Sequence, residues 1–280
     1  MSQSPLPGLY IVATPIGNLG DLSPRAQAIL SAADVVACED TRVAGKLLHL
    51  FGIKRPLLRH DDHASDAQRA ALVQRLAQEV VVLVADAGTP LISDPGYRLV
   101  RDARAAGHLV TSVPGPCAAI MALSISGLPT DKFLFAGFPP SKAGARAKAL
   151  DALASIPATL VFYESGPRLA ASLGAMAKAF GPRDAIVARE LTKLHETVVT
   201  GRIDALAEQF PTPPKGEIVI VVAPPMEKAP DAADPEAVRA ALCEAMKSAP
   251  ASRAARDVAK RYAIPREDVY AIAITLNAQS

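Results

Sequence analysis

Two α/β units followed by a small helical appendage is the architecture this sequence predicts. Three observations lead there. The first is the stretch VVVLVADAGTPLISDPGY at Val80–Tyr97. Its unbroken apolar run, Val80–Val84, gives way within one residue to a long loop of small, rigid and acidic residues, Asp86–Gly96. A run apolar at every position reads as a strand buried on both faces, as in a parallel sheet. The second is that strand-like and helix-like segments alternate along most of the chain, the pattern of a sheet covered by helices. The third is Ala223–Pro235 (APPMEKAPDAADP), a linker by composition, with three helical stretches after it. The expected division is residues 8–131, an N-terminal α/β domain; 132–226, a C-terminal α/β domain; 227–235, a linker; and 236–280, a helical appendage of helix-turn-helix type for RNA or a partner.

In chain order, Leu9–Ala13 is a short apolar strand, followed by the loop Thr14–Asp21. Ser23 is placed to cap the next helix, with Pro24 at its first position. Asp34–Ala37 is the second strand and ends in Cys38-Glu39-Asp40-Thr41-Arg42, where Thr41 is expected to cap a helix. Leu57-Leu58 is a brief strand ending in Arg59-His60-Asp61-Asp62-His63, and Ser65 with Gln68 forms a capping box. After the central strand and loop, Asp94 and Pro95 are expected to begin a helix that Gly107 closes. Leu109–Val113 ends in Pro114-Gly115-Pro116 ahead of a helix of small residues. In the second unit, strands are expected at Asp131–Gly137, Thr159–Tyr163, Ala185–Ala188, Thr197–Thr200 and Ile218–Val222. Phe138–Lys148 reads as a basic, flexible connection, and Leu169–Phe180 as a helix closed by Gly181.

Plain strand-to-helix loops run about two to six residues, so Asp86–Gly96 is overlong for a connection alone. In open α/β sheets the ligand crevice lies outside the carboxyl ends of the strands, where this loop sits. Small residues let a ligand approach the backbone closely, and prolines fix the loop's shape.

Composition narrows the chemistry. Half of the 280 residues are hydrophobic, enough for a large core, and the net charge of +2 neither demands nor excludes a polyanionic partner. Aromatics are only 4% and Trp is absent, so contacts resting on aromatic stacking platforms are not expected. Cys38, Cys117 and Cys243 are far apart, odd in number and form no CxxC. That pattern predicts neither a disulfide framework nor a zinc site, and fits a reducing cytoplasm. The start, MSQSPLPGLY, lacks a basic region followed by a long apolar core, so no signal peptide is expected, and no apolar run reaches about 18 residues, so no spanning helix is expected. His60–His63 could suggest a metal cluster, but no second ligand group at metal spacing stands elsewhere; no metal is expected.

The commonest nucleotide and nucleophile motifs, GxGxxG after the first strand, GxxxxGK[ST] and GxSxG, are missing. What remains is a set of glycine, proline and small-residue loops with a few charged groups at strand ends. Such loops suit a bulky organic cofactor held by backbone groups, with the cofactor supplying reactivity and the protein orientation.

Seven segments carry a resemblance: LYIVATPIGNLGDLSPRA at Leu9–Ala26, ACEDTR at Ala37–Arg42, DAGTPLISDPGY at Asp86–Tyr97, VPGPCA at Val113–Ala118, FYES at Phe162–Ser165, ARELTK at Ala188–Lys193 and GEIVIVV at Gly216–Val222. In that order they resemble the tetrapyrrole methylase superfamily, and within it the branch that methylates the 2′-hydroxyl of a cytidine in small-subunit (16S) ribosomal RNA. The resemblance implies two α/β domains with a cleft between them for S-adenosyl-L-methionine, a homodimer, and a cytoplasmic enzyme of ribosomal RNA processing. The donor-binding residues it implies are Pro15, Ile16 and Gly17; Gly88, Thr89, Pro90, Leu91 and Ile92; Cys117 and Ala118; Tyr163 and Glu164; and Arg189 and Glu190. The chain departs from that branch at HDDHA (His60–Ala64) and at Gly166-Pro167, where a Thr/Ser-His pair is more usual.

Methyl transfer from a sulfonium is an in-line displacement, so positioning carries much of the rate. A ribose hydroxyl is a poor nucleophile and gains from a general base in hydrogen-bond reach. Asp94, Glu196 and Asp40 are the candidate bases at strand ends, with Glu39 beside them. RNA binding would rest on phosphate contacts, for which Arg42, Lys142, Arg146, Lys193, Arg253, Arg256 and Lys260 are candidates. Two other readings stay open at this point: methylation of a tetrapyrrole or corrinoid precursor, and a cofactor-binding scaffold that catalyses nothing.

Overall fold

The computed structural model describes residues 4–61, 64–226, 234–262 and 264–277; Asp62 and His63 of the His60–Ala64 loop, and residues 227–233 of the expected linker, lie outside them. The chain forms two compact units, Met1–Pro225 and Met226–Ser280.

The first unit holds two sheets. Strands β1 (Gly8–Val12), β2 (Val35–Cys38), β3 (Leu57–Arg59), β4 (Val80–Leu83) and β5 (Val110–Val113) form a sheet of order β3-β2-β4-β1-β5. Every pairing in it is parallel. The apolar run is β4, the middle strand, buried at every residue. Alternate residues feed opposite layers, as the strand period requires: Tyr10, Val12, Val36 and Val82 pack on one face, and Leu9, Ile11, Val35, Val81 and Leu83 on the other. Each such fully buried Val or Leu contributes about 1.5–3 kcal/mol.

Helices α1 (Pro24–Ala32), α2 (Thr41–Leu50), α3 (Asp66–Arg75), α4 (Tyr97–Ala105) and α5 (Ala118–Ser124) follow these strands. The Ser23 hydroxyl caps α1, and Ser65 with Gln68 forms the expected box on α3. Two starts differ from the sequence reading. Asp40, not Thr41, caps α2, its carboxylate accepting from the Arg42 amide at 2.8 Å. Helix α4 begins at Tyr97 behind Gly96, not at Asp94-Pro95. Gly96 has φ +125, a conformation other residues rarely adopt, and this turn separates Asp94 from the helix.

Strands β6 (Phe133–Gly137), β7 (Thr159–Ser165), β8 (Asp184–Arg189), β9 (Thr197–Arg202) and β10 (Glu217–Val222) form the second sheet, of order β6-β7-β10-β8-β9. Only β6–β7 is parallel; β10 runs antiparallel between β7 and β8. Helices α6 (Ala143–Asp151), α7 (Leu169–Phe180) and α8 (Ile203–Glu208) accompany it. The connection expected to be flexible is thus largely helical. Alanines favour α6, and Leu150 and Arg146 are buried by it. One face of this sheet packs Leu160, Phe162, Val187 and Ile220 with Leu169, Leu173 and Met176. The other packs Val161, Ile186, Val219 and Val221 against Ile16, Ala119, Ala122 and Leu123. That last cluster joins the loops and α5 of the first sheet to the second sheet.

The second unit is α9 (Pro235–Met246), α10 (Ala251–Tyr262) and α11 (Arg266–Asn277) around Val238, Leu242, Ala254, Ala255, Val258, Val269 and Ala273. The alanines let helix backbones approach closely. Among the described residues no helix is long and apolar enough to cross a membrane.

Candidate active site

The loops after β1, β4 and β5 are tied into one wall. Thr14 and Gly88 exchange backbone hydrogen bonds at 2.9 and 3.0 Å. The Thr14 hydroxyl donates to the Ala85 carbonyl at 3.2 Å, and the Thr89 hydroxyl to the Pro116 carbonyl at 2.8 Å. Gly88 has φ +80, and a Cβ there would come within 3.2 Å of Ile16 Cγ2. Leu91 and Ser93 have φ of 73° and 62°, strain of a kind concentrated at functional sites. A Gly88→Ala variant is expected to lose about 1–2 kcal/mol from left-handed strain alone, seen as a lower urea midpoint at unchanged slope.

This wall faces β7, β10 and the end of β6 across a cleft of about 390 Å³, within the roughly 300–1,000 Å³ of small-molecule sites. Of the donor-binding residues expected from sequence, Ile16, Gly88, Thr89, Ile92, Ala118, Tyr163 and Glu164 line it. The others stand behind or beside it. Cys117 is the N-cap of α5 and packs in the joining cluster. Leu91 packs on the first sheet, and Pro15 and Pro90 shape their turns. Gly17 leaves room for the Lys193 stem and Thr192, which a Cβ would strike. Arg189 donates to the Lys215 and His195 carbonyls at 3.1 and 3.3 Å. Glu190 accepts from Lys193 Nζ at 2.9 Å and from the Glu217 amide at 3.1 Å. The cleft also takes Asp86, Ala87, Ser93, Phe138, Ser165, Leu191 and Gly216–Val219, which the sequence reading did not assign.

The three candidate bases separate sharply. Asp94 lines the cleft. Burial, with Glu39 and Asp86 nearby, pushes its carboxyl up to about 6. Asp40 caps α2 and pairs with Arg42 at 2.6 Å, which holds its carboxyl well below the usual range. Glu196 accepts from the Thr192 amide at 2.6 Å and is exposed in a turn. Neither Asp40 nor Glu196 lines the cleft.

The cleft is acidic. Glu164 is buried, accepting from the Ser172 hydroxyl at 2.5 Å and lying 3.3 Å from Arg168 Nε. Glu217 pairs with Lys193 at 3.0 Å. Among the described residues no cation lies within salt-bridge distance of Asp86 or Asp94. The Tyr163 hydroxyl accepts from the Ala119 amide at 3.3 Å, and burial raises its pKa. Burial, with Asp86 and Asp40, pushes the Cys38 thiol up to about 11, so it is no ready nucleophile. No group of three or more metal-ligating side chains occurs among the described residues.

The cations expected to meet RNA fall into different settings. Arg42 and Lys142 are exposed, Arg42 paired with Asp40. Lys193 is held by Glu190 and Glu217. Arg146 is buried and donates to the Pro140 and Ser141 carbonyls at 3.5 and 3.1 Å, so it braces its own loop and is not free for a phosphate. In the second unit Arg253, Arg256 and Lys260 all lie on the exposed side of α10.

Comparison with known proteins follows the same lines. Residues 8–207 match the family model of tetrapyrrole (corrin/porphyrin) methylases. The chain is 53% identical to the ribosomal RNA small subunit methyltransferase I of Erythrobacter litoralis (strain HTCC2594), covering 98% of each. It is 48% identical to the protein of that name from Mesorhizobium japonicum, covering 94% of this chain and 90% of the relative. A diphthine synthase structure superposes with TM-score 0.60 at 15% identity, over 77% of this chain and 89% of that one. A uroporphyrin-III C-methyl transferase from Thermus thermophilus, complexed with S-adenyl homocysteine, superposes with TM-score 0.51 at 20% identity, over 76% and 96%. These two show a shared fold. From the strand order, the cleft and these matches together, the chain belongs to the tetrapyrrole methylase family, within its ribosomal RNA small subunit methyltransferase I branch.

Proposed function

We propose that this protein transfers a methyl group from S-adenosyl-L-methionine to the ribose 2′-hydroxyl of a cytidine in 16S ribosomal RNA. The carrying observation is Asp94: a carboxylate with no salt-bridge partner among the described residues, in the wall of a cleft sized for a small organic ligand. The names of the relatives supply the substrate class.

The residues present fit the donor. Ile16, Ile92, Ala118, Leu191, Ile218 and Val219 offer apolar surface to the adenosine, and Asp86 and Asp94 offer negative charge to its cationic part. When bound, it supplies an electrophilic methyl group whose carbon–sulfur bond breaks with the electron pair left on sulfur. Asp94 takes the proton of the 2′-hydroxyl as the new oxygen–carbon bond forms. Burial of Asp94 matters here, because a base with a pKa near the working pH transfers protons most effectively. Gly88 and Thr89, locked to Thr14 and Pro116, hold the wall still, so that alignment is prepaid in the fold.

The exposed cations of α10, with Arg42 and Lys142, are the phosphate contacts in this reading, and the protein works as a cytoplasmic homodimer. Incubation with labelled S-adenosyl-L-methionine and small ribosomal particles lacking the modification is expected to place label in 16S RNA. Label entering a uroporphyrin-type substrate, and none entering RNA, would refute the reading.

A further inference from the structure

Phe138 is an aromatic ring held open at the cleft. It lines the cleft yet is 54% exposed, although the chain has only 7 phenylalanines and no tryptophan. A large ring left open beside a cleft offers apolar contact area to a ligand. Three features keep it outward. The β6–β7 register shifts between Phe135 and Gly137, and such a bulge re-aims the side chains beyond it. Gly137 then turns with φ +64. After Phe138, Pro139 and Pro140 fix the chain, and two arginines hold its carbonyls: Arg168 donates to Pro139, and Arg146 to Pro140 and Ser141. Arg168 is itself anchored on buried Glu164. The ring meets Tyr163 edge to face at 5.6 Å, and Tyr163 meets Phe135 at 4.9 Å.

We propose that Phe138 is the stacking surface for the base of the nucleotide being methylated, so that it sets the register of the RNA in the cleft. This rests on the RNA methyltransferase reading above. A ribose can reach a cleft wall only if its nucleotide leaves the surrounding stack, and an extruded base is then received by an aromatic or apolar face. A ring more than half exposed is open to a polymeric substrate arriving from solvent. Lys142, exposed four residues on, adds a positive charge to the same segment.

Phe138→Trp tests this directly, because it would carry the only tryptophan in the chain. Its fluorescence is expected to be quenched by a 16S RNA fragment containing the target cytidine and left nearly unchanged by S-adenosylhomocysteine alone. In parallel, Phe138→Ala is expected to raise the RNA KM roughly ten- to hundredfold, with a far smaller change in the S-adenosylhomocysteine Kd, while Phe138→Trp, which keeps an aromatic face, brings the RNA KM back toward wild type. Quenching by S-adenosylhomocysteine alone, an unchanged RNA KM in Phe138→Ala, or full rescue by Phe138→Leu would overturn the proposal. Wild-type protein that methylates RNA in the same assay keeps these outcomes separate from failure of the functional reading.

Discussion

Asp94→Asn is expected to lower kcat roughly 10²–10⁴-fold, the contribution typical of a positioned general base. The amide keeps the shape of the side chain and its place in the wall, so S-adenosylhomocysteine binding should change far less than kcat. The wild-type pH profile carries a second signature. Only the ionised carboxylate accepts a proton, so kcat/KM should rise about tenfold per pH unit up to about pH 6 and then level off, following the raised pKa of Asp94. The acid limb should vanish in Asp94→Asn. Stability should move the other way. A carboxyl whose folded pKa is raised from 3.8 to about 6 contributes stability below the lower value and loses it as pH rises through the higher one. Above about pH 6 the ionised wild-type side chain is therefore the less stable form. Asp94→Asn should melt higher than wild type at neutral pH, and the gain should shrink as pH falls toward 4. An unchanged kcat in the variant would remove Asp94 from the chemistry.

Gly166→Ala is expected to cost about 3 kcal/mol or more, the upper range for overpacking a site that cannot relax. A Cβ on Gly166 would run into the backbone carbonyl of Pro214. A backbone group cannot swing aside as a flexible side chain can. The segment that would have to shift leads directly into Gly216 and Glu217 of the cleft lining. Urea unfolding should show a large fall in midpoint, and the remaining folded protein should bind S-adenosylhomocysteine more weakly. Near-wild-type stability would mean that the Pro214 segment yields easily. This packing gives a physical reason for a glycine here: the chain closes onto it.

The sheet around β4 was legible because its information is local. An apolar run marks a doubly buried strand, and Ser23, Ser65 and Gln68 are caps whose partners lie within three residues. The loop after β4 was legible as a site wall because its length and composition exceed what a connection needs. The opposite wall was not. β10 is the last strand in the chain, yet it lies between β7 and β8. That insertion is decided by long-range pairing, so no local pattern places Gly216–Val219 opposite Gly88. Phe138 was hidden in the same way, since its outward aim comes from a bulge and from arginines distant in sequence. Arg146 shows the converse limit. A basic residue in a polar stretch reads as a surface charge, but its guanidinium hydrogen-bonds the carbonyls of the preceding loop and is buried there. Asp94 read both as a helix cap, because Asp before Pro is a common start, and as a candidate base; the positive φ of Gly96 delays α4, and the carboxylate lines the cleft.

The central claim, that the cleft presents a ribose hydroxyl to the methyl donor, is tested most directly by where the transferred methyl resides. Small-subunit RNA methylated with labelled S-adenosyl-L-methionine should be hydrolysed in alkali and the labelled products identified. A 2′-O-methyl group removes the hydroxyl that alkali uses to cleave the next phosphodiester. The label is therefore expected in an alkali-resistant dinucleotide whose 5′ residue is cytidine. Label recovered on a base, in an alkali-sensitive mononucleotide, would contradict the account.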